Sequence, residues 1–107
     1  MRAAIVREHG GPQAARVEEI PAPQAGPGQI SVRVRAAAMN HLDVWVRRGL
    51  PGAPFHLPII RGSDVAGDVL ALGEGVDVPA VGTPVMVLPG VSCWSCERCE
   101  SGMGHQC

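Results

Sequence analysis

All four cysteines of this chain fall within its last stretch, Cys93-Trp-Ser-Cys96-Glu-Arg-Cys99-Glu-Ser-Gly-Met-Gly-His-Gln-Cys107, and no cysteine precedes Cys93. The spacing is Cys-x2-Cys-x2-Cys-x7-Cys. Two successive tight turns bring thiols at i, i+3 and i+6 to one point, and Gly102 and Gly104 let the backbone curl so that Cys107 reaches the fourth corner. Four thiolates at about 2.3 Å from one Zn2+ make a closed structural site with no position left for water or substrate. This spacing predicts a lobe whose role is to hold shape.

Other readings of the same thiols stay open from spacing alone. Disulfides require an oxidising compartment, and no signal peptide is read at the start of the chain. An iron–sulfur site of the Cys-x2-Cys-x2-Cys type wants its fourth Cys after three intervening residues and followed by Pro, whereas here seven residues intervene. Redox-active or free thiols are a third possibility. His105 is an alternative fourth ligand to Cys107, although thiolate is softer and better spaced.

The rest of the chain is bounded by what it lacks. A net charge of −1 gives no electrostatic case for nucleic acid or an anionic membrane surface. Trp45, Phe55 and Trp94 are the only aromatic residues, so the core must be aliphatic and base-stacking platforms are missing. No apolar run approaches the roughly 20 residues that span a bilayer. One soluble, cytoplasmic domain is the default expectation. With 14 Gly and 10 Pro, the chain is punctuated in a way that favours short strands and turns over a helical bundle.

Five strands and one helix follow from the pattern. Ala3 to Arg7 and Ala15 to Ile20 are short strands, separated by the turn Glu8-His-Gly-Gly-Pro12. Pro21 to Gly28 cannot donate enough backbone hydrogen bonds to be a strand. From Gln29 to Ala36, the residues Ile30, Val32, Val34 and Ala36 alternate with Ser31, Arg33 and Arg35, which predicts a strand with one wet face. The period then changes. Leu42, Trp45 and Val46 repeat at helical spacing from Asn40 to Arg48, with Asn40 as N-cap, Asp43 at the capping-box position and Gly49 as the stop. Val65 to Leu72 is a strand in which Gly67 marks a bulge or a close backbone approach. A turn from Asp77 to Pro84 leads to the strand Val85 to Leu88. The count is that of a small β-barrel with α added.

In this order the features resemble the amino-terminal part of the medium-chain dehydrogenase/reductase superfamily, the zinc-containing alcohol dehydrogenase and quinone oxidoreductase group. The matching pieces are the Gln29–Ala38 strand running into Met39-Asn-His-Leu-Asp43, the segment Pro58-Ile-Ile-Arg-Gly-Ser-Asp-Val-Ala-Gly67, then Gly82-Thr-Pro-Val-Met-Val and the four cysteines. The resemblance implies a mainly β fold: a GroES-like twisted barrel over 1–88 with one short helix, carrying a zinc-binding lobe over 89–107. It implies that Cys93, Cys96, Cys99 and Cys107 hold a structural Zn2+. It also implies an NADP or NAD cofactor, and a small-molecule carbonyl, enone or alcohol substrate. A homo-oligomer is the expected state of the full-length enzyme, with no nucleic-acid or membrane partner.

The departures are as informative. Zinc-dependent members place a Cys where this chain has Asn40, and the His of a Gly-His-Glu where it has Gly62-Ser63-Asp64. Neither Asn nor Ser is a good zinc ligand. The chain therefore looks like a branch that kept the structural zinc and lost the catalytic one, leaving hydride transfer of the quinone- or enoyl-reductase type. Asn40 and Asp43 are the candidate catalytic, cleft-lining residues, the former also a helix cap and the latter also a capping-box partner. His41 is the candidate cofactor contact, against a plain reading as a solvated first-turn histidine. Ser63 and Asp64 read as turn residues.

A dinucleotide-binding fold is not found among these residues. Gly73-Glu-Gly75-Val-Asp-Val78 has two glycines of a Gly-x-Gly-x-x-Gly fingerprint but Val at the third. The expectation is therefore a fragment of an enzyme about three times this length, inactive in hydride transfer alone. Two other classes compete with it: a stand-alone zinc-binding interaction module, and, by fold analogy only, a co-chaperone-like ring subunit.

Overall fold

Ala4 lies opposite Val17 and Val6 opposite Ala15, so the first two apolar segments pair as an antiparallel ribbon. The computed structural model describes all 107 residues. Strand β1 (Arg2–Val6) is the centre of a sheet with order β2-β1-β4, in which β2 is Ala15–Glu19 and β4 is Ile59–Ile60. A second sheet has order β3-β5-β6, built from β3 (Ile30–Ala38), β5 (Asp64–Leu72) and β6 (Pro84–Val87). All pairings are antiparallel. The architecture is mainly β with α added, as the sequence predicts. The strands fall into two three-stranded sheets.

Helix α1 (His41–Arg48) follows β3 directly, and Asn40 precedes it in extended conformation, as an N-cap must. Gly49 ends it at φ 79°, a left-handed conformation suited to glycine. A one-turn helix α2 (Glu97–Glu100) and a 3-10 turn at Gly104–Gln106 shape the cysteine lobe. Neither α2 nor β4 is foreseen from the sequence.

The β3–β5 ladder positions the cleft. Its register shifts between Val34 and Ala36, where Arg35 is the extra residue of a bulge. Gly67 lies beside that shift. A Cβ built there would sit 2.2 Å from the Arg33 carbonyl oxygen, so the close approach expected at this glycine is real.

Two expectations about burial need correction. From Arg33 to Ala38 every residue of β3 is exposed, the apolar Val34 and Ala36 included, so the alternation does not mark a covered face there. Helix α1 likewise turns Asp43, Val46 and Arg47 inward and leaves Leu42 and Trp45 exposed. Hydrogen bonding explains the choice of face, since both Asp43 and Arg47 bind backbone groups of neighbouring loops. The small core is Ala3, Ile5, Val6, Val46 and Val69. The accessible surface is 7951 Å², against about 5,700 Å² for a typical folded chain of this mass. The radius of gyration is 15.6 Å, where about 13 Å is usual.

Candidate functional site

The four thiols converge. Cys96 and Cys99 Sγ lie 3.5 Å apart, Cys93 and Cys99 3.9 Å, and Cys96 and Cys107 4.0 Å, with all four within 4.8 Å of one another. Ligands at tetrahedral corners about 2.3 Å from a zinc ion would be about 3.8 Å apart, so this donor set fits one ion without rearrangement. All four are free thiols. Local structure sets them there: α2 starts after Cys96 and carries Cys99, the 3-10 turn delivers Cys107, and Ser92 Oγ–H donates to the Gly104 carbonyl to close the lobe at its base (3.0 Å). His105 is not in the cluster; its Nε2 lies 3.3 Å from Gln106 Nε2.

The electrostatics of the cluster follow from crowding. The Ser95 backbone N–H and hydroxyl hold Cys93 down at about 6. At Cys99 burial works against ionisation, but hydrogen bonds from Cys96 and the Trp94 N–H outweigh it and lower the thiol. At Cys107 the Cys93 N–H favours the thiolate, yet the neighbouring Cys93 and Cys99 thiols push the group up. Sulfurs this close resist ionising together unless a cation joins them.

A second constellation lies at the start of α1. The Asn40 Nδ2–H donates to Asp64 Oδ2. The Asn40 backbone N–H donates to Asp43 Oδ2 at 2.8 Å, and the Gly62 N–H donates to Asp43 Oδ1 at 2.6 Å. Asp43 is only 5 % exposed, with both oxygens engaged by backbone donors, which makes it a clip between α1 and the segment before β5. Asp64 is the first residue of β5, not a turn residue, and its partnership with Asn40 is missed by sequence reasoning. The signal for it was the resemblance, which put both positions at one site. Ser63 stands beside it and makes no side-chain hydrogen bond. His41 is exposed, with its ring edge-on to Trp45 at 5.1 Å and 66°. Asp64 also borders an open groove of about 270 Å3, otherwise apolar, formed by Ala36–Ala38, Val65, Ala66, Met86 and Val87. The amide and carboxylate thus meet at the rim of a surface suited to a small apolar body.

No helix is long and apolar enough to cross a membrane. Comparison with known proteins gives a consistent family. The alcohol dehydrogenase GroES-like domain matches residues 26–107. Among curated relatives, the Homo sapiens synaptic vesicle membrane protein VAT-1 homolog is 36 % identical over 88 % of this chain and 24 % of its own length. A crystal structure of an NAD-dependent alcohol dehydrogenase is 46 % identical with a TM-score of 0.93, covering 100 % of this chain and 31 % of that one. The Escherichia coli quinone oxidoreductase complexed with NADPH is 27 % identical with a TM-score of 0.76, over 85 % of this chain and 28 % of that one. The chain spans about a quarter to a third of the length of the curated relatives it matches. With its GroES-like fold and these relatives, the chain belongs to the alcohol dehydrogenase GroES-like domain family, within the medium-chain dehydrogenase/reductase superfamily.

Proposed function

We propose that these residues form the amino-terminal, substrate-side part of an NAD(P)-dependent oxidoreductase that keeps a structural zinc and works without a catalytic one. Residues 1–88 are the partial catalytic barrel and 89–107 the zinc lobe, with a dinucleotide-binding domain supplied by further polypeptide. The observation that carries this reading is the Asn40–Asp64 hydrogen bond. At the two places where zinc-dependent members have Cys and Gly-His-Glu, this chain has an amide donating to a carboxylate, with Ser63 beside them. Zinc favours thiolate, imidazole and carboxylate, and one carboxylate is not a site.

The residues then take the following roles. Cys93, Cys96, Cys99 and Cys107 hold Zn2+, which supplies a cross-link and no open coordination position. The groove beside Asp64 receives the apolar body of a carbonyl, enone or quinone substrate and excludes water from it. Asn40 offers a side-chain N–H to the substrate oxygen, held in orientation by Asp64. Asp43 lines the cleft from beneath and fixes the backbone of Asn40. His41, at the exposed first turn of α1, meets the cofactor phosphates. When bound, NADPH or NADH supplies the hydride. The working enzyme is a cytoplasmic homo-oligomer.

The test is turnover of the full-length enzyme with NADPH or NADH and a quinone or enone, before and after a chelator strips labile metal. Retained activity is expected. A second zinc whose removal abolishes turnover would refute the reading. A stand-alone zinc-binding module remains the competing reading, and lack of any hydride transfer by the full-length protein would favour it.

A further inference from the structure

Strand β2 lies at the edge of its sheet and is bonded to β1 alone. The ladder decides which of its backbone groups face outward. The Ile20 N–H donates to the Met1 carbonyl at 2.8 Å, and hydrogen-bonded pairs alternate along an antiparallel ribbon, so Glu18 and Arg16 bond Ala3 and Ile5. On the far side of β1 the Arg61 N–H donates to the Ala4 carbonyl, which agrees with Ala4 and its opposite residue Val17 making no bond to each other. The N–H and C=O of Ala15, Val17 and Glu19 therefore point away from the sheet. Of these groups only the Ala15 N–H is engaged, by the Pro12 carbonyl. Val17 stands in the middle of this edge and is 62 % exposed. Arg16 on one side of it has no ion-pair partner, and Glu18 on the other is held by Arg7 at 2.8 Å.

We infer that the outer edge of β2 pairs with the same edge of a second copy of this chain, antiparallel about a two-fold axis at Val17, joining two three-stranded sheets into one. An unpaired edge is a template for another strand, and the charges of this one select its own reverse. The run Arg16-Val17-Glu18 read backwards sets Arg16 opposite Glu18 of the second copy, and Glu18 opposite its Arg16, as a two-fold contact requires. Both fall at non-hydrogen-bonded positions, where opposed side chains approach most closely. Val17 meets its own mate through two N–H···O=C bonds, and each Glu19 N–H meets the Ala15 carbonyl of the other copy. An axis at Arg16 or Glu18 fails, because β1 engages their backbone groups. One at Ala15 or Glu19 pairs only half the strand. The inference gives a surface to the homo-oligomer proposed above, and its test separates the two.

Sedimentation equilibrium under reducing conditions should show this chain approaching twice its mass of 11.2 kDa as concentration rises, with amide exchange slowing at Val17 and Glu19. Val17→Pro deletes the outward N–H at the axis, which β1 does not use, and edge strands accept proline at such a position. It should keep the circular dichroism of the sheets and weaken association at least about tenfold, since both central hydrogen bonds go. Arg16→Glu and Glu18→Lys each set like charges face to face, so each variant alone should be monomeric. Mixed in equal amounts they should associate, because the mixture restores opposite charges at both positions. A mixture that stays monomeric would overturn the register. A native chain that is monomeric at every concentration would show that the charges guard the edge instead of pairing it. A dimer that survives Val17→Pro, or protection of Val17 in a monomeric full-length protein, would place another surface or a later segment there and overturn the pairing. A full-length enzyme that is monomeric would overturn the homo-oligomer reading as well.

Discussion

The side-chain amide of Asn40 donates to the carboxylate of Asp64, joining the cap of α1 to the first residue of β5 across 24 positions of sequence. A second bridge runs beside it, from the Asn40 and Gly62 backbone amides to the two oxygens of Asp43. The two bridges close a ring between the start of α1 and residues 62–64. Residues in such a ring act as a unit, so substitutions within it should not be additive.

Asp43→Ala should be the most damaging single change in that ring. It leaves two backbone N–H donors without partners in a place where the side chain was 5 % exposed, and each unpaired buried donor costs about 1–3 kcal/mol. Chemical denaturation should show a loss of about 2–4 kcal/mol. Asp43→Asn, which keeps one acceptor, should lose about half as much; equal losses would show that packing and not hydrogen bonding sets the effect.

Gly67→Ala probes the cross-strand approach. The added methyl would sit 2.2 Å from the Arg33 carbonyl oxygen and 2.9 Å from its carbon, both backbone atoms that cannot rotate away. The β3–β5 ladder must part locally, at a cost of about 3 kcal/mol. Thermal unfolding and faster amide exchange at Val34 and Ala66 should register it. An unshifted midpoint would mean that the ladder yields more easily than its geometry implies.

How far the sequence discloses this fold differs from residue to residue. Asn40, Asp43 and Gly49 are legible because capping and stopping a helix are local demands that few residue types meet. Gly67 is legible because a lone glycine inside a strand pattern has few other uses. The two-residue strand β4 is not, since Ile59 and Ile60 become a strand only by pairing with Val6 and Ile5, far away in sequence. The bulge at Arg35 is equally silent, because the alternation of Val34, Arg35 and Ala36 runs straight through it. Helix α1 misleads by hydropathy: its buried face includes Asp43 and Arg47, which hydrogen bonds draw inward against their polarity. In the site, cysteine spacing shows that the thiols can meet, but the left-handed backbone of Trp94 has no signature in composition.

Cys96→Ser should separate lobe from sheets. The native chain should carry one zinc by metal analysis. The variant should lose most of that metal and exchange amides faster over 89–107, while the circular dichroism of the sheets is retained. Collapse of the sheet signal would show the lobe to be part of the core, and iron in place of zinc would refute the metal assignment.

Acid should act first on the ribbon of β1 and β2. Two guanidinium nitrogens of Arg7 bind the carboxylate of Glu18, Nε at 3.1 Å and Nη2 at 2.8 Å from Oε2, and this hydrogen bonding holds Glu18 below the ordinary carboxylate range. A carboxyl with a lowered folded pKa stabilises the fold above its unfolded value and loses that contribution as pH falls through the folded one. Glu18→Gln should therefore flatten the stability profile below the ordinary carboxylate pKa and change it only by a constant near neutrality. An unchanged acid limb would show that the pair is screened away.

The lobe's Ser92–Gly104 hydrogen bond and its cysteine cluster lie entirely within residues 92–107, and no strand of either sheet packs substantially against α2. Its ordering is thus free to follow the metal while the sheets follow their own hydrogen bonds. Calorimetry of the chain should then resolve two melting events instead of one, with only the lobe's event moving with free zinc concentration. A single midpoint would not describe this protein, and any ranking of variants by one melting temperature would mix two independent equilibria.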